Sequence, residues 1–493
     1  MRTPPPGPPS PAPDPEVWRQ GPDGYRAASV FPAYFHRELQ PLWLTTIARL
    51  QGHAAAELQG GFRYVELGCG QGLGLLVAAA LQPQGRFLGL DVNPRAIAQA
   101  RQAAHEIGLD NLTFVQADLA DPAAVRALPD EACDFLVCHG TWSWVGPRVR
   151  ETIATLAATR LAPHGLFHLH YLCHPGSTAL QPVQQLFAQI AAQPGLPADE
   201  ALRQGLVLVR QLSDSGLFDH QPELHQRLAS LSGIDRADLV HDLLAGTWQV
   251  EHAVRLHAQL AQRGLAFIGS ARAFDNLDPE LSVPLELQPL LAAQADPALR
   301  ETLKDLARGQ RQRLDLFQPA GRRPGTSVPA WAALAWTGLP DDPVPAVPAV
   351  PAVPDARTER SDDTRGLVCA TPIGPLQMPA GLGQALLRAL APGQRRTGAQ
   401  LLALPEVAGD VHGLHQALQL LMQAGRIHPA AAVPTGAATL VPHDRPVAAL
   451  SRWLQARGWR LRLIPAAATA RLLPLRPSVP GVVPGHQAPH GQA

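Results

Sequence analysis

The chain has 493 residues, 46% of them hydrophobic, enough for two to four domains with well-filled cores. Lys plus Arg and Asp plus Glu each total 41 with no block of one sign, which excludes the broad basic footprint of a nucleic-acid binder. Five cysteines without a C-x-x-C pair argue against a disulfide frame or zinc site, and no apolar run reaches the ~18 residues of a membrane span. A cytoplasmic protein with reduced thiols is expected, with neither nucleic acid nor membrane among its partners. Residues 1–24 are proline-rich and lack an apolar signal core, so they read as a disordered leader.

From Ala27 to Leu50 apolar residues recur at helical spacing, as one helix or as two broken near Pro32 or Pro41. This stripe reads as core, although Tyr34 and Phe35 also suit a cover over a neighbouring site. Tyr64 to Leu67 is a short apolar strand that runs into the glycine turn of Gly68, Gly70, Gly72 and Gly74, followed by an alanine-rich helix. A second strand, Arg86 to Leu90, ends on Asp91. An acidic residue about 20 positions after such a turn is the layout by which a doubly wound sheet holds an adenosine-containing ligand. Asn93-Pro94 opens the next helix as N-cap and first turn, and Gly108 closes it. Leu112 to Val115 is the third strand and leads to Asp118, which also suits a helix N-cap. Phe135 to Cys138 is the fourth strand and ends in the loop His139-Gly140-Thr141-Trp142-Ser143-Trp144-Val145. A helix from Arg150 to Leu161 and a strand from Leu166 to Tyr171 follow. His139, His168, His170 and His174 lack metal-ligand spacing and a carboxylate partner, so no metal site is expected.

The E-x-G-x-G-x-G spelling at Glu66, Gly68, Gly70 and Gly72 resembles the first motif of class I S-adenosylmethionine-dependent methyltransferases. The resemblance implies an α/β fold with a doubly wound Rossmann-like methyltransferase sheet. A helical middle domain follows by pattern, and the helices Ala385–Leu390, Gly398–Leu404 and Val411–Ala424 with the strand at Gly425-Arg426-Ile427 resemble a small winged-helix-like C-terminal domain. The class I resemblance also implies S-adenosyl-L-methionine as cofactor, held by Glu66, Gly68, Cys69, Gly70, Gly72, Asp91, Val92, Asp118, Leu119 and His139, with Asp91 on the ribose and Asp118 on the adenine. The HGTWSWV loop and the later Pro175-Gly176 turn resemble a narrower group, the methyltransferases with a methyltransferase regulatory domain, which includes the rickettsial-type protein lysine methyltransferases. That group implies a protein substrate with a lysine side chain as methyl acceptor, and position at the carboxyl ends of the strands makes His139, Tyr171 and Trp142 the acceptor-side residues. Its S-Y-N-T motif is replaced here by His170, Tyr171, Leu172 and Cys173. A small-molecule acceptor, or a cofactor-binding protein that transfers nothing, therefore stays open.

Residues 177–265 are helical by pattern, without catalytic spacing. The last two strands of the sheet are not legible in order, and Ala266 to Ala273 is a candidate for one of them. Ala307–Phe317 resembles the arginine-rich ending of the regulatory region. Repeated Pro-Ala-Val triplets mark a linker. The expected organisation is leader 1–24, cofactor-binding domain 25–176, helical domain 177–338, linker 339–365, small C-terminal domain 366–475 and loose tail 476–493.

Overall fold

The computed structural model describes residues 30–126, 128–321, 330–339, 366–430, 444–457, 459–464 and 469–474. The expected leader, the tail and the linker beyond Leu339 lie outside them. Seven strands form one sheet: β1 Phe62–Leu67, β2 Gly85–Asp91, β3 Leu112–Gln116, β4 Cys133–Cys138, β5 Leu161–Leu172, β6 Leu265–Ser270 and β7 Gln312–Pro319. Their order is β3-β2-β1-β4-β5-β7-β6. The first five are parallel, and β7 runs antiparallel to both β5 and β6. The order turns back between β1 and β4, and ligands of doubly wound sheets bind outside the strand ends at that point.

Five helices belong to this half: α1 Pro41–Leu50, α2 Leu73–Leu81, α3 Pro94–Ile107, α4 Pro122–Arg126 and α5 Pro147–Arg160. Asn93 caps α3 by accepting from the N–H groups of Arg95 and Ala96, and Gly108 ends it in the left-handed conformation. Prolines at the first turn define where α1, α3 and α5 start. Residues 30–36 form no helix, so of the two readings left open a single α-helix forms, starting at Pro41. The α5 helix starts at Pro147, three residues earlier than expected. The Ala162-Pro163-His164-Gly165 turn is absorbed into the start of β5, which pairs irregularly with Cys133 and Phe135 of β4.

The expected boundary at residue 176 cuts through this sheet. The strand β5 is buried along most of its length and must be paired on both edges. Its outer partner is β7, in a register that sets Phe167 opposite Phe317 and Tyr171 opposite Arg313. The segment Ala307–Phe317 is thus the end of a helix, a glycine turn and most of β7, while the expected strand at Ala266 is β6. Residues 177–264 are an insertion carrying α6 Gln181–Ala191, α7 Ala198–Asp214, α8 Pro222–Ser230, α9 Arg236–Leu243 and α10 Ala253–Ala261. The first four close on their own core around Phe187, Leu202, Leu243 and Leu244. Between β6 and β7 lie α11 Pro279–Ser282, α12 Gln288–Ala292 and α13 Pro297–Arg308.

The C-terminal part holds β8 Ala335–Gly338, β9 Leu367–Thr371, β10 Gly374–Met378, α14 Ala380–Ala389, β11 Arg396–Thr397, α15 Gly398–Leu402, α16 Val411–Gln423 and β12 Ile427–Ala430. The expected helix–helix–helix–strand succession is present. Its three-stranded sheet, β11-β8-β12, takes the middle strand from before the linker. Leu418, Leu421 and Trp336 share one core with Trp43 and Ile47 of α1. Helix α17, Asp444–Gln455, packs on α2 and α3, and β13 Trp459–Ile464 pairs antiparallel with β14 Thr469–Pro474. Among the described residues no helix is long and apolar enough to cross a membrane.

Candidate active site

A cleft opens at the carboxyl ends of β1, β2 and β4. Its floor is the turn between β1 and α2, where Gly68, Gly70 and Gly72 all have positive φ. Two of the three glycines are packed from behind. A Cβ on Gly72 would lie 2.4 Å from the Phe114 ring, and one on Gly68 would lie 2.1 Å from Thr141 Oγ1. A Cβ on Gly70 meets nothing within 4 Å, so this is where backbone faces open cleft.

Asp91, at the end of β2, accepts from Gly70 N and Asn93 N, one on each carboxylate oxygen and both at 2.8 Å. A carboxylate has about four acceptor positions, so about two are left for a pair of hydroxyls. Burial pushes Asp91 above the usual carboxylate range, with the Asn93 and Gly70 N–H groups opposing. Glu66 lies beside it in the cleft wall and is pushed up to about 8, first by burial and then by the charge of Asp91. Near neutrality Glu66 is therefore mainly protonated and can donate a hydrogen bond. Asp118 and Leu119 line the far side after β3. Asp118 Oδ1 accepts from Ala120 N, while Asp121 serves the turn that opens α4.

The other end of the cleft is aromatic. His139 follows β4, and its Nδ1 lies 3.3 Å from His168 Nε2. His168 is fully buried, and burial lowers its pKa to about 3, so it is a neutral imidazole. His170, two residues on and on the same face of β5, is held at both ring nitrogens. Gly140 N–H donates to its Nδ1 at 3.0 Å, and Gln312 Oε1 lies 3.0 Å from its Nε2. A ring that accepts at Nδ1 is neutral, so the proton sits on Nε2. Trp144 lines the cleft, and its buried indole N–H has no hydrogen-bond partner.

All ten residues expected at the cofactor line this one cleft: Glu66, Gly68, Cys69, Gly70, Gly72, Asp91, Val92, Asp118, Leu119 and His139. Two of the three acceptor-side residues lie elsewhere. Tyr171 alternates with His170 along β5 and so faces the opposite side of the sheet, fully buried. Its hydroxyl donates to Asp315 at 2.5 Å. Asp315 also binds Arg313 and His257, and although burial opposes it, Arg313 holds this carboxylate at about 2. Trp142 opens the single 3₁₀ turn Trp142–Trp144, where residues two apart point to different sides. Its indole donates to Glu251 Oε1 at 3.1 Å, away from the cleft, and Trp144 takes the place expected for it.

Several further residues reach the cleft, and of these only Tyr34 was a candidate from the sequence, as part of a cover. Phe31, Tyr34 and His36 cross the cleft as an extended strap, with Gln71 Nε2 donating to Phe31 O at 2.7 Å. Phe35, the neighbour of Tyr34 in the same apolar stripe, goes to the core instead. His241 and Asp242 reach the cleft from the end of α9, in the insertion. Of the two residues expected to suit a cover, Tyr34 is the one that lines the cleft. Nothing in the local sequence of α9 marks His241.

Comparison with known proteins agrees with this geometry. Residues 58–189 match the model of a methyltransferase domain, and residues 235–318 that of a predicted methyltransferase regulatory domain. The uncharacterized protein sll1526 of Synechocystis sp. is 29% identical over 60% of this chain and 58% of its own length, so the chain spans little more than half of that relative. Rickettsia typhi PKMT2 has a solved structure with TM-score 0.62 and 17% identity, over 90% of this chain and 86% of that one. A second structure of PKMT2, in complex with AdoHcy, gives TM-score 0.59 and 17% identity over 84% and 81%. Similarity at that level establishes the shared fold.

Proposed function

With residues 58–189 forming a class I S-adenosylmethionine-dependent methyltransferase domain and 235–318 a methyltransferase regulatory domain, we propose that the chain transfers a methyl group from this cofactor to an amine, the side chain of a protein lysine. The observation that carries the reading is the convergence of Asp91, Glu66, Asp118 and the open face of Gly70 on one cleft whose other end is His139, His170 and Trp144. The donor set fits the cofactor. Asp91 keeps acceptor positions for a ribose diol, and Gly70 leaves room for close approach of the ligand to backbone. When bound, S-adenosylmethionine supplies a methyl group on a positively charged sulfur.

The residues of this chain then have three tasks. They hold the acceptor in line, which can supply several kcal/mol of the barrier reduction. They also exclude water, since Trp144, Phe31 and Tyr34 wall the acceptor end. Lastly they deprotonate the acceptor, because an alkyl ammonium has an ordinary pKa of about 10.4 and only the free amine is nucleophilic. An aromatic, desolvated wall lowers that value. In this reading His139 takes the proton, supported by its place in the cleft and by its pairing with the neutral His168.

The test is incubation of the purified chain with methyl-tritiated S-adenosylmethionine and a bacterial lysate, followed by electrophoresis and hydrolysis. Label in methyl-lysine of a protein band is the expected result. Label confined to small molecules would assign a metabolite acceptor, and AdoHcy binding without any transfer would leave a cofactor-binding protein.

A further inference from the structure

Seven rings around the acceptor end form a closed circuit. Starting from Phe31, centroid distances are 5.6 Å to Tyr34, 6.3 Å on to His36, 4.4 Å to His139 and 4.4 Å to His170. The circuit continues 6.1 Å to Trp144 and 5.6 Å to His241, and closes 4.5 Å back on Phe31. All seven residues line the cleft. They come from three separate parts of the chain: the strap, the ends of the central strands, and α9 of the insertion. None comes from the glycine turn or from β2, so the circuit belongs to the acceptor end.

Aromatic faces are electron-rich, and a cation is the ligand favoured by a wall that offers such faces. Electrostatics point the same way. Asp242 lines the cleft next to His241, and Asp238, on the same helix, accepts from the Tyr34 hydroxyl. His170 cannot oppose a cation, because accepting from Gly140 N–H keeps its ring uncharged. We propose that this ring is a cage for the methylated ammonium head of the acceptor, closed by Phe31 of the strap and His241 of the insertion. The proposal rests on the amine-methyltransferase reading and deepens it: the acceptor stays bound after it has gained methyl groups and charge.

An onium ion in this cleft has two possible sources, the acceptor's ammonium and the cofactor's sulfonium, and the experiment separates them. The probes are choline and its uncharged isostere 3,3-dimethyl-1-butanol, titrated by ligand-observed NMR against the full chain with and without AdoHcy. The expected result is a preference for choline of roughly 5-fold or more, reduced at least threefold in both Phe31→Leu and His241→Leu. Two variants on different elements guard against one of them failing to fold, and circular dichroism reports folding for each. Equal affinity for the two probes would overturn the cage, and so would a preference that both folded variants retain. If S-adenosylmethionine outbinds AdoHcy in a ring-dependent way while choline shows no preference, the ring serves the sulfonium and the assignment to the acceptor is overturned. Failure to bind AdoHcy would count against the cofactor reading alone, since the choline comparison is also made without it.

Discussion

The Tyr34 hydroxyl donates to the carboxylate of Asp238, 204 positions further along the chain, and so ties the strap to helix α9. Burial pushes Asp238 up to about 6 despite this bond. Tyr34→Phe removes this hydrogen bond between strap and insertion. The expected cost is about 1–2 kcal/mol of local closure. Amide hydrogen exchange over residues 31–39 should speed up, and AdoHcy should dissociate roughly 3- to 10-fold faster. Unchanged exchange in the strap would show that the ring contacts alone hold it.

The glycine turn offers a paired test. Gly72 has φ +67 and is backed by the Phe114 ring, so Gly72→Ala combines left-handed strain with a clash. It should lower stability by about 2–5 kcal/mol. Gly70 has φ +53 and open space, so Gly70→Ala should cost about 1–2 kcal/mol while weakening AdoHcy roughly tenfold or more. Thermal melts and calorimetric titration of both variants read the two effects separately.

Glu66 makes a pH prediction for the ligand-free protein. Its carboxyl has an ordinary value of 4.5 and is pushed up to about 8 in the fold, mainly by burial. Between those values the folded state holds a proton that the unfolded state has released. The stability due to this group is complete below about 4.5 and is lost as pH rises through about 8, by at most about 5 kcal/mol. His168 has the opposite sense. Lowered from 6.5 to about 3, it favours the fold above 6.5 and withdraws that contribution as pH falls toward 3. Melting temperature should therefore decline from pH 6.5 to 8, and Glu66→Gln should flatten that decline. A parallel decline in the variant would remove Glu66 as its cause.

On the opposite face of the sheet, Arg313 binds Asp305 at 2.6 Å, Glu301 at 2.8 Å and Asp315 at 3.0 Å, nearly all of it buried. Arg313→Met should cost about 3–5 kcal/mol, because it strands carboxylates that have left water. Tyr171→Phe should cost about 1–3 kcal/mol through the lost bond to Asp315. Neither Tyr171→Phe nor Trp142→Phe should change AdoHcy affinity, since both side chains point away from the cleft. A large loss of affinity in either would return these residues to the site.

The cofactor end was readable because its chemistry is local. Glycines, Asp91 and Asp118 sit at fixed offsets from strand ends, and backbone sterics at Gly68 and Gly72 demand the residues found there. The acceptor end was not, because it is assembled from distant segments. Which of Tyr171 and His170, or of Trp142 and Trp144, enters the cleft is decided by strand alternation and by the 120° step of a 3₁₀ turn, and the sequence alone did not supply the phase. His241 reaches the site only because the insertion folds back over it. The missing strands were hidden for the same reason: β7 pairs with β5 across about 140 intervening residues.

That separation matters during synthesis. A ribosome adding about 5–20 residues per second needs on the order of ten seconds to pass from the end of β5 to the start of β7. Through that interval a long, apolar strand edge stands ready for any other β-segment to pair with. The insertion emerges first and builds its own core around Phe187, which sequesters its apolar side chains but leaves that edge open. Nascent-chain chaperones should therefore engage the chain most strongly when it ends between residues 172 and 312, and release it once β7 has docked.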